Sequence, residues 1–327
     1  MSRFIAAGHI CLDITPKFPA GRSVTKIDEM LVPGSLVHMD TADVSTGGSV
    51  ANTGLAMKIL GADVRLMGKV GNDDFGRSIE AILRRYGAGG LIVDEKSATS
   101  YSVVLAVPGL DRLFLHHPGA NDTFCNDDVP EEALQDVELF HFGYPPIMKR
   151  IYENDGAELV KIFKRVKAHG GKVSLDMTTV DPDSEEGKTD WMKFLKNVLP
   201  YVDYFLPSFD EISFMCGLSK PEEIIDSMRR LGAGTVVIKC GTDGLYYGNG
   251  AVSGHQPCFK ASFVASATGA GDTSIAAFLV AAMQGRTIPE CAAIAAMEGA
   301  CCVTAYNSLD GLRTIPELEK MIREAGR

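Results

Sequence analysis

No apolar stretch free of charge approaches the roughly 20 residues that a membrane-spanning helix needs, and the N-terminus lacks the apolar centre of a secretory leader. A protein that stays in the cytoplasm, with no membrane partner, is therefore expected. Positive charge is also scarce. Lys and Arg number 32 against 42 Asp and Glu, a formal charge of -10, which argues against a nucleic-acid partner. The 8 cysteines include the adjacent pair Cys301-Cys302, and none has zinc-ligand spacing. Several lie in apolar runs and read as buried free thiols in a reducing compartment. What remains is a chain of 327 residues, 46% hydrophobic and with 34 Gly, enough for a large core and many tight turns. Length alone permits one big domain or two moderate ones.

The strongest local signal is residues 267–274, Ala-Thr-Gly-Ala-Gly-Asp-Thr-Ser, followed by an alanine-rich run to Met283 with helix composition. Gly269 and Gly271 let backbone N–H groups converge without a Cβ in the way, and the turn delivers an anion to a helix N-terminus. Asp272 stands at the mouth of that cradle. An acid there suits a general base beside a transferring phosphoryl group, with the N–H groups of Gly269, Ala270 and Gly271 stabilising developing charge. The octet also fits an ordinary loop with an N-capping Asp.

Earlier in the chain, residues 4–7 read as a short buried strand ending at Gly8, with Asp13 just past the strand end. Ligands of open α/β sheets bind at such ends, so Asp13 is a candidate for holding substrate hydroxyls, or it is a solvated loop acid. Residues 14–45, with Pro16, Pro19 and Pro33, read as extended chain or small strands outside the main layers. Gly47 and Gly48 allow close approach of a ligand. They precede a helix from about 49 to 61, with Asn52 in its first turn, where an amide donates and accepts toward sugar-like hydroxyls or simply faces solvent. A strand over 64–67 and a helix from about 76 to 86 follow. Residues 99–107 and 112–116 alternate around a turn at 108–111 and form a hairpin that 118–121 ends. Together with 14–45, the hairpin makes a small second sheet, expected to act as a lid that excludes water.

From residue 138 onward, strands over 139–142, 172–176, 204–206 and 235–239 alternate with helices over 155–168, 191–198 and 221–231, interrupted by a polar insertion at 178–189. That alternation marks a mostly parallel sheet covered by helices on both faces. Its functional loops share one edge, where Asp13, Gly47, Asp176, Glu211, Gly241 and Asp272 can meet. Glu211, at a helix start, either stabilises the helix dipole or positions a magnesium-bound water. Gly241 and Gly244, in a tight turn after a strand, suit packing against a nucleotide, and Lys239 beside them either reaches the phosphates or is a surface charge. The small residues over 288–303 make a wall that admits an adenine ring, with Asn307 near its edge, or form a plain packing interface.

Two separated stretches resemble the PfkB carbohydrate kinases, the ribokinase-like sugar kinases: Gly47-Gly48 with Asn52, Ala56, Leu60 and Gly61, and Thr268 to Thr273. Gly8 with Asp13, residues 68–76 and residues 118–121 add to the match, which runs in family order over essentially the full chain. The resemblance implies a three-layer αβα sandwich with a mostly parallel central sheet. It further implies a single kinase domain over 1–327, a β lid from about 14–45 and 99–118 that often contributes to a homodimer, and ATP with Mg²⁺. Carried over residue by residue, Asp13, Gly47, Gly48 and Asn52 hold the acceptor, Asp272 is the base, and Gly269 to Gly271 form the anion hole. Gly241 is similar to the glycine lining the nucleotide; Gly244, Thr268 and Asn307 are the further candidates beside it, and Glu211 is the candidate for a metal through water.

The chain departs from the family pattern in three places. Ser208 stands where Asn is common, Lys239 replaces a frequent small hydroxyl residue, and Ser266 stands where many members have an Asp that helps bind potassium. Little potassium activation is therefore expected. The expected activity is ATP-dependent phosphorylation of a hydroxyl, primary by expectation, of a small sugar-like substrate. A nucleoside kinase of the same fold, with Phe114, His116 and His117 of the lid as contacts to the nucleobase, is the alternative reading, and a noncatalytic sugar or nucleotide sensor is a third.

Overall fold

Short apolar runs separated by amphipathic helices assemble into an eight-stranded sheet, and a computed structural model describes it over residues 3–19, 24–110 and 112–326. Asp111 of the expected hairpin turn, and residues 20–23 of the expected lid, lie outside the described residues. The strand order across the sheet is Ser253–Gln256, Leu245–Gly248, Thr235–Lys239, Tyr204–Phe205, Lys172–Asp176, Leu139–Gly143, Phe4–Gly8 and Val64–Met67. The six strands from Thr235–Lys239 to Val64–Met67 run parallel, and the other two close one edge in antiparallel pairing.

Both faces of the sheet are buried, and alternate residues of one strand feed different cores. Ile5, Ala7, Phe140 and Phe142 join a cluster with Phe163, Phe194 and Ile224. Ala6 and Leu139 point to the opposite cluster, with Leu55, Ile79, Phe278 and Leu318. The first face is covered by the helices Lys149–Ala168, Trp191–Val198, Phe209–Cys216 and Pro221–Arg230. Ser49–Ile59, Asp74–Arg85, Ala270–Met283, Ile288–Cys302 and Ile315–Ala325 cover the second. Burying a phenylalanine or leucine completely contributes roughly 1.5–3 kcal/mol each, so the two clusters are the main stabilising element of the three layers.

A second sheet of four strands, in the order Ala42–Gly47, Cys11–Pro16, Tyr101–Leu105 and Leu113–His117, lies outside the sandwich. The expected small sheet is therefore present, with the hairpin as one half of it. One expectation is corrected: Asp13 is not in a loop beyond a strand but within Cys11–Pro16, opposite Ser45 of the neighbouring antiparallel strand. The polar alternation of that short strand hides it in the sequence, and its pairing with Ala42–Gly47 and Tyr101–Leu105 creates it. Asn121, fully buried, ties the sheet to the sandwich: its Oδ1 accepts from the Ile10 N–H at 3.1 Å and its Nδ2 donates to the Ile10 carbonyl at 2.9 Å. Asp73 does the same from the other side, accepting from the Thr99 N–H at 2.7 Å while capping Asp74–Arg85 through the Gly76 N–H at 2.9 Å.

Candidate active site

At the carboxyl edge of the parallel strands, the turn before Ala270–Met283 faces the four-stranded sheet. Gly269 takes φ 77°, a left-handed conformation that suits glycine, and a Cβ there would lie 2.4 Å from the Ser308 Cβ. The turn is thus fixed by two requirements on one residue. A helix of this length presents its first N–H groups and the positive end of its dipole at that point. Asp272, in the first turn and only 6% exposed, is the acid that the dipole supports.

The Asp272 carboxylate is held from three directions. Asn52 Nδ2 donates to Oδ2 at 3.0 Å, Thr53 Oγ1 donates to Oδ1 at 3.2 Å, and the Tyr144 hydroxyl lies 2.8 and 2.9 Å from Oδ1 and Oδ2. Asn52, expected to face acceptor hydroxyls, is therefore turned toward the acid itself. Thr53 and Tyr144 were not legible as site residues. The only sequence clue to Tyr144 is its place directly after the buried strand Leu139–Gly143, at the edge where the functional loops meet. Burial raises the Tyr144 phenol well above its ordinary range and Asp272 adds to the rise, so the hydroxyl keeps its proton and donates.

Asp13 stands on the lid side. Burial pushes its carboxyl up to about 6, with hydrogen bonds from Cys11 and Ser102 opposing and the charge of Asp272 adding. The Cys11 thiol donates to its Oδ1 at 3.2 Å. A Cβ on Gly47 would lie 1.9 Å from Asp13 Oδ2, so glycine at 47 is what lets the acid occupy this position. Gly48 is the N-cap of Ser49–Ile59, and a Cβ there would lie 2.6 Å from His9 Nδ1. The His9 ring lies 5.1 Å from His116 of the lid and 6.1 Å from Tyr144, centroid to centroid. Burial lowers both histidines, each with a neighbouring histidine adding to the effect, His116 to about 4, so both rings are neutral near pH 7. Of the other lid aromatics, Phe114 is exposed and His117 packs 5.6 Å from Tyr101.

On the opposite side of the turn, a cleft of about 870 Å³ is lined by Gly241, Gly244, Lys239, Ala270 and Gly271, with Ala296 and Gly299 of the following helix. Its size and its small, mostly apolar walls fit an adenine nucleotide. Gly241, Gly244, Ala270 and Gly271 are thus brought together as expected. Thr268 and Asn307 are not among the lining residues: the Thr268 hydroxyl meets Ser266 at 3.1 Å and Asn307 Oδ1 accepts from the Leu309 N–H at 3.1 Å. Glu211 Oε2 accepts from the Ser208 N–H at 2.8 Å and so caps Phe209–Cys216. Among the described residues no group of three or more His, Cys, Asp or Glu could by itself hold a metal. A magnesium ion carried largely by phosphate oxygens and water needs no such cage; the carboxylates lining the cleft are Asp210 and Asp243, while Glu211 is not among the lining residues and acts on the charges of Lys239 and Asp176 beside it.

Of the two readings of Lys239, the burial of its side chain rules out the surface charge. Its Nζ donates to Asp176 Oδ1 at 2.8 Å, and the two side chains are 11% and 2% exposed. Burial works against the charge on Lys239, but Asp176, Glu211 and Asp272 outweigh it and hold the lysine protonated. Burial pushes the Asp176 carboxyl up, against the pull of Lys239. A cation thus stands behind the anion turn, where the sequence alone shows only a lysine at a strand end. Across the turn, Arg112 Nη2 donates from the lid to Ser266 Oγ at 3.1 Å.

The three-layer fold thus sets a glycine turn, a buried acid and a nucleotide-sized cleft at one sheet edge. The family model for the pfkB family carbohydrate kinase matches residues 15–315, and the chain belongs to that family. Fructokinase-1 of Oryza sativa subsp. japonica is 26% identical over 330 residues, covering 94% of this chain and 100% of the relative. The 2-dehydro-3-deoxygluconokinase of Thermoproteus tenax is 29% identical over 259 residues, covering 77% of each. The solved structure of Arabidopsis thaliana ribokinase complexed with ribose and ATP shares the fold with a TM-score of 0.79 at 21% identity, covering 98% of this chain and 99% of that one. ATP with Mg²⁺ is the ligand pair typical of the family. No helix among the described residues is long and apolar enough to cross a membrane.

Proposed function

We propose that the protein transfers the γ-phosphoryl group of ATP to a hydroxyl, primary in our reading, of a sugar or sugar derivative, with Asp272 as the general base. The observation that carries this reading is the position of the Asp272 carboxylate, at a helix N-terminus between the nucleotide cleft and Asp13. Asp13, Gly47 and Gly48 hold the acceptor so that one hydroxyl lies against Asp272. The acceptor oxygen attacks in line, its proton passes to Asp272, and the N–H groups of Gly269, Ala270 and Gly271 stabilise the phosphoryl oxygens. Lys239 supplies positive charge from below the turn. Bound Mg²⁺ would neutralise phosphate charge, with Glu211 reaching it through water.

ADP release measured with ATP, Mg²⁺ and a panel of sugars and nucleosides tests the assignment. A sugar giving the highest kcat/KM supports it, and a nucleoside preferred by a hundredfold would favour the second reading. That second reading, a nucleoside kinase, draws on the His9, His116 and Tyr144 rings gathered beside the acid.

Two expected results follow from the charges. Asp13 accepts hydrogen bonds from hydroxyls when ionised, and its raised pKa means that it protonates as pH falls through about 6. The acceptor KM should therefore rise severalfold between pH 7 and pH 5 while saturated turnover changes less, and a flat KM would contradict the role of Asp13. The Arg112 guanidinium already meets Ser266, so the rate should stay flat as potassium replaces a non-activating cation. A large saturable rise would overturn this. One face of the lid, with Val44, Leu113 and Leu115 exposed, is where we place a homodimer contact.

A further inference from the structure

A carboxylate offers about four in-plane acceptor positions, two on each oxygen, and three donor groups crowd those of Asp272. Asn52 and Thr53 take one position on each oxygen, and the single Tyr144 hydroxyl lies within 2.9 Å of both. The hydroxyl therefore covers the side of the carboxylate that its other two partners leave open. An attacking hydroxyl needs hydrogen-bond contact with its base, and on the side of Asp272 that Tyr144 covers it gains that contact only as the tyrosine gives up part of its own.

The backbone reinforces this placement. Tyr144 has φ 67° and ψ 43°, a left-handed conformation in a non-glycine residue, and it is followed by the buried Pro145 and Pro146. A residue before proline is normally extended, so the surroundings impose the conformation, and it carries the ring from the end of Leu139–Gly143 to Asp272. The ring is enclosed on a second side by His9, at 6.1 Å between centroids.

We propose that Tyr144 is a positioning residue that keeps Asp272 closed to water and yields only to a bound acceptor, thereby suppressing wasteful hydrolysis of ATP. This rests on the reading of Asp272 as the base. In the suppressed reaction, a water oxygen bonds to the γ-phosphorus, the bond from that phosphorus to the β,γ-bridging oxygen breaks, ADP leaves, and the water proton passes to Asp272. Productive transfer balances in the same way, with the acceptor oxygen in place of water. The difference lies in what each nucleophile brings. A polyol gains contacts with Asp13 and the backbone at Gly47 and Gly48, and that binding energy displaces the tyrosine hydroxyl from one oxygen. Water brings no such contacts and leaves the tyrosine in place.

Tyr144→Phe keeps the ring and removes the hydroxyl. With ATP and Mg²⁺ but no sugar, release of inorganic phosphate should rise about tenfold or more, the scale of one hydrogen bond to a charged group. With the better of D-fructose and D-ribose as acceptor probe, KM should fall, because the sugar no longer competes with a tyrosine. A residue that merely supports the site would give the reverse, a higher KM and no gain in hydrolysis, and that result would overturn the proposal. Should Tyr144→Phe fail to fold by circular dichroism, Tyr144→Leu with the ATP-only assay makes the same test. In Tyr144→Phe combined with Asp272→Asn the gain should vanish, and a gain that survives would show that water is not activated through Asp272. Asp272→Asn alone separates the two ideas: full transfer in that variant defeats the base assignment, whereas lost transfer with unchanged hydrolysis in Tyr144→Phe defeats only the role of the tyrosine.

Discussion

Asp272→Asn lowers turnover by about a thousandfold, within the range of roughly 10²–10⁴ for loss of a general base, and leaves ATP affinity within a few-fold. The change is isosteric, so the turn at Gly269 and the cleft keep their shape. What is lost is the ability to take the acceptor proton. The amide also presents hydrogens toward Asn52, Thr53 or Tyr144, each of which donates to the carboxylate, so some of these contacts become mismatched. Steady-state kcat alongside calorimetric ATP binding separates the two effects. Turnover within tenfold of the parent would remove Asp272 from the role of base.

Lys239→Met has the second large effect, and it acts on both stability and activity. Asp176 is 2% exposed at its side chain and has Lys239 as its buried cation at 2.8 Å. Removing Lys239 leaves the buried Asp176 carboxyl without its partner; burial already raises its pKa, so it takes up a proton rather than carrying a bare charge, and an unpaired buried polar group costs about 1–3 kcal/mol, visible as a lower urea midpoint. The double variant Lys239→Met with Asp176→Leu should recover most of that stability, since an apolar pair of similar volume is often neutral or better. It should not recover turnover, because the phosphate end of the cleft still lacks its cation. A double variant that regains full turnover would reduce Lys239 to a structural partner of Asp176. A single variant as stable as the parent would mean that the pair contributes nothing to folding.

Much of this site can be read along the chain because its parts are local. Gly269 and Asp272 stand three residues apart at a helix start, and Gly47, Gly48 and Asn52 frame another, so turn chemistry and helix composition point to them directly. The parallel strands are legible for the same reason, since each is a short apolar run buried on both faces. Tyr144 is different, because its partner is 128 positions away and only the sheet topology brings them together. Asn52 is found at its expected helix start, with a partner in Asp272 that nothing local announces, since an amide can serve a sugar or a carboxylate. Lys239 and Asp176, 63 positions apart, form a pair because their strands end at the same edge, with Tyr204–Phe205 between them. The antiparallel strands Leu245–Gly248 and Ser253–Gln256 and the final helix Ile315–Ala325 are not anticipated. Ser253–Gln256 is an edge strand with little burial, which leaves it without an apolar pattern to read.

Phosphorus NMR of a reaction containing ATP, Mg²⁺ and the preferred acceptor from the sugar panel tests the central claim most directly. The account predicts a new phosphomonoester signal, coupled to the protons of one acceptor carbon, that grows in step with ADP. ADP that appears only with inorganic phosphate for every acceptor, or the absence of any ATP turnover, would contradict it.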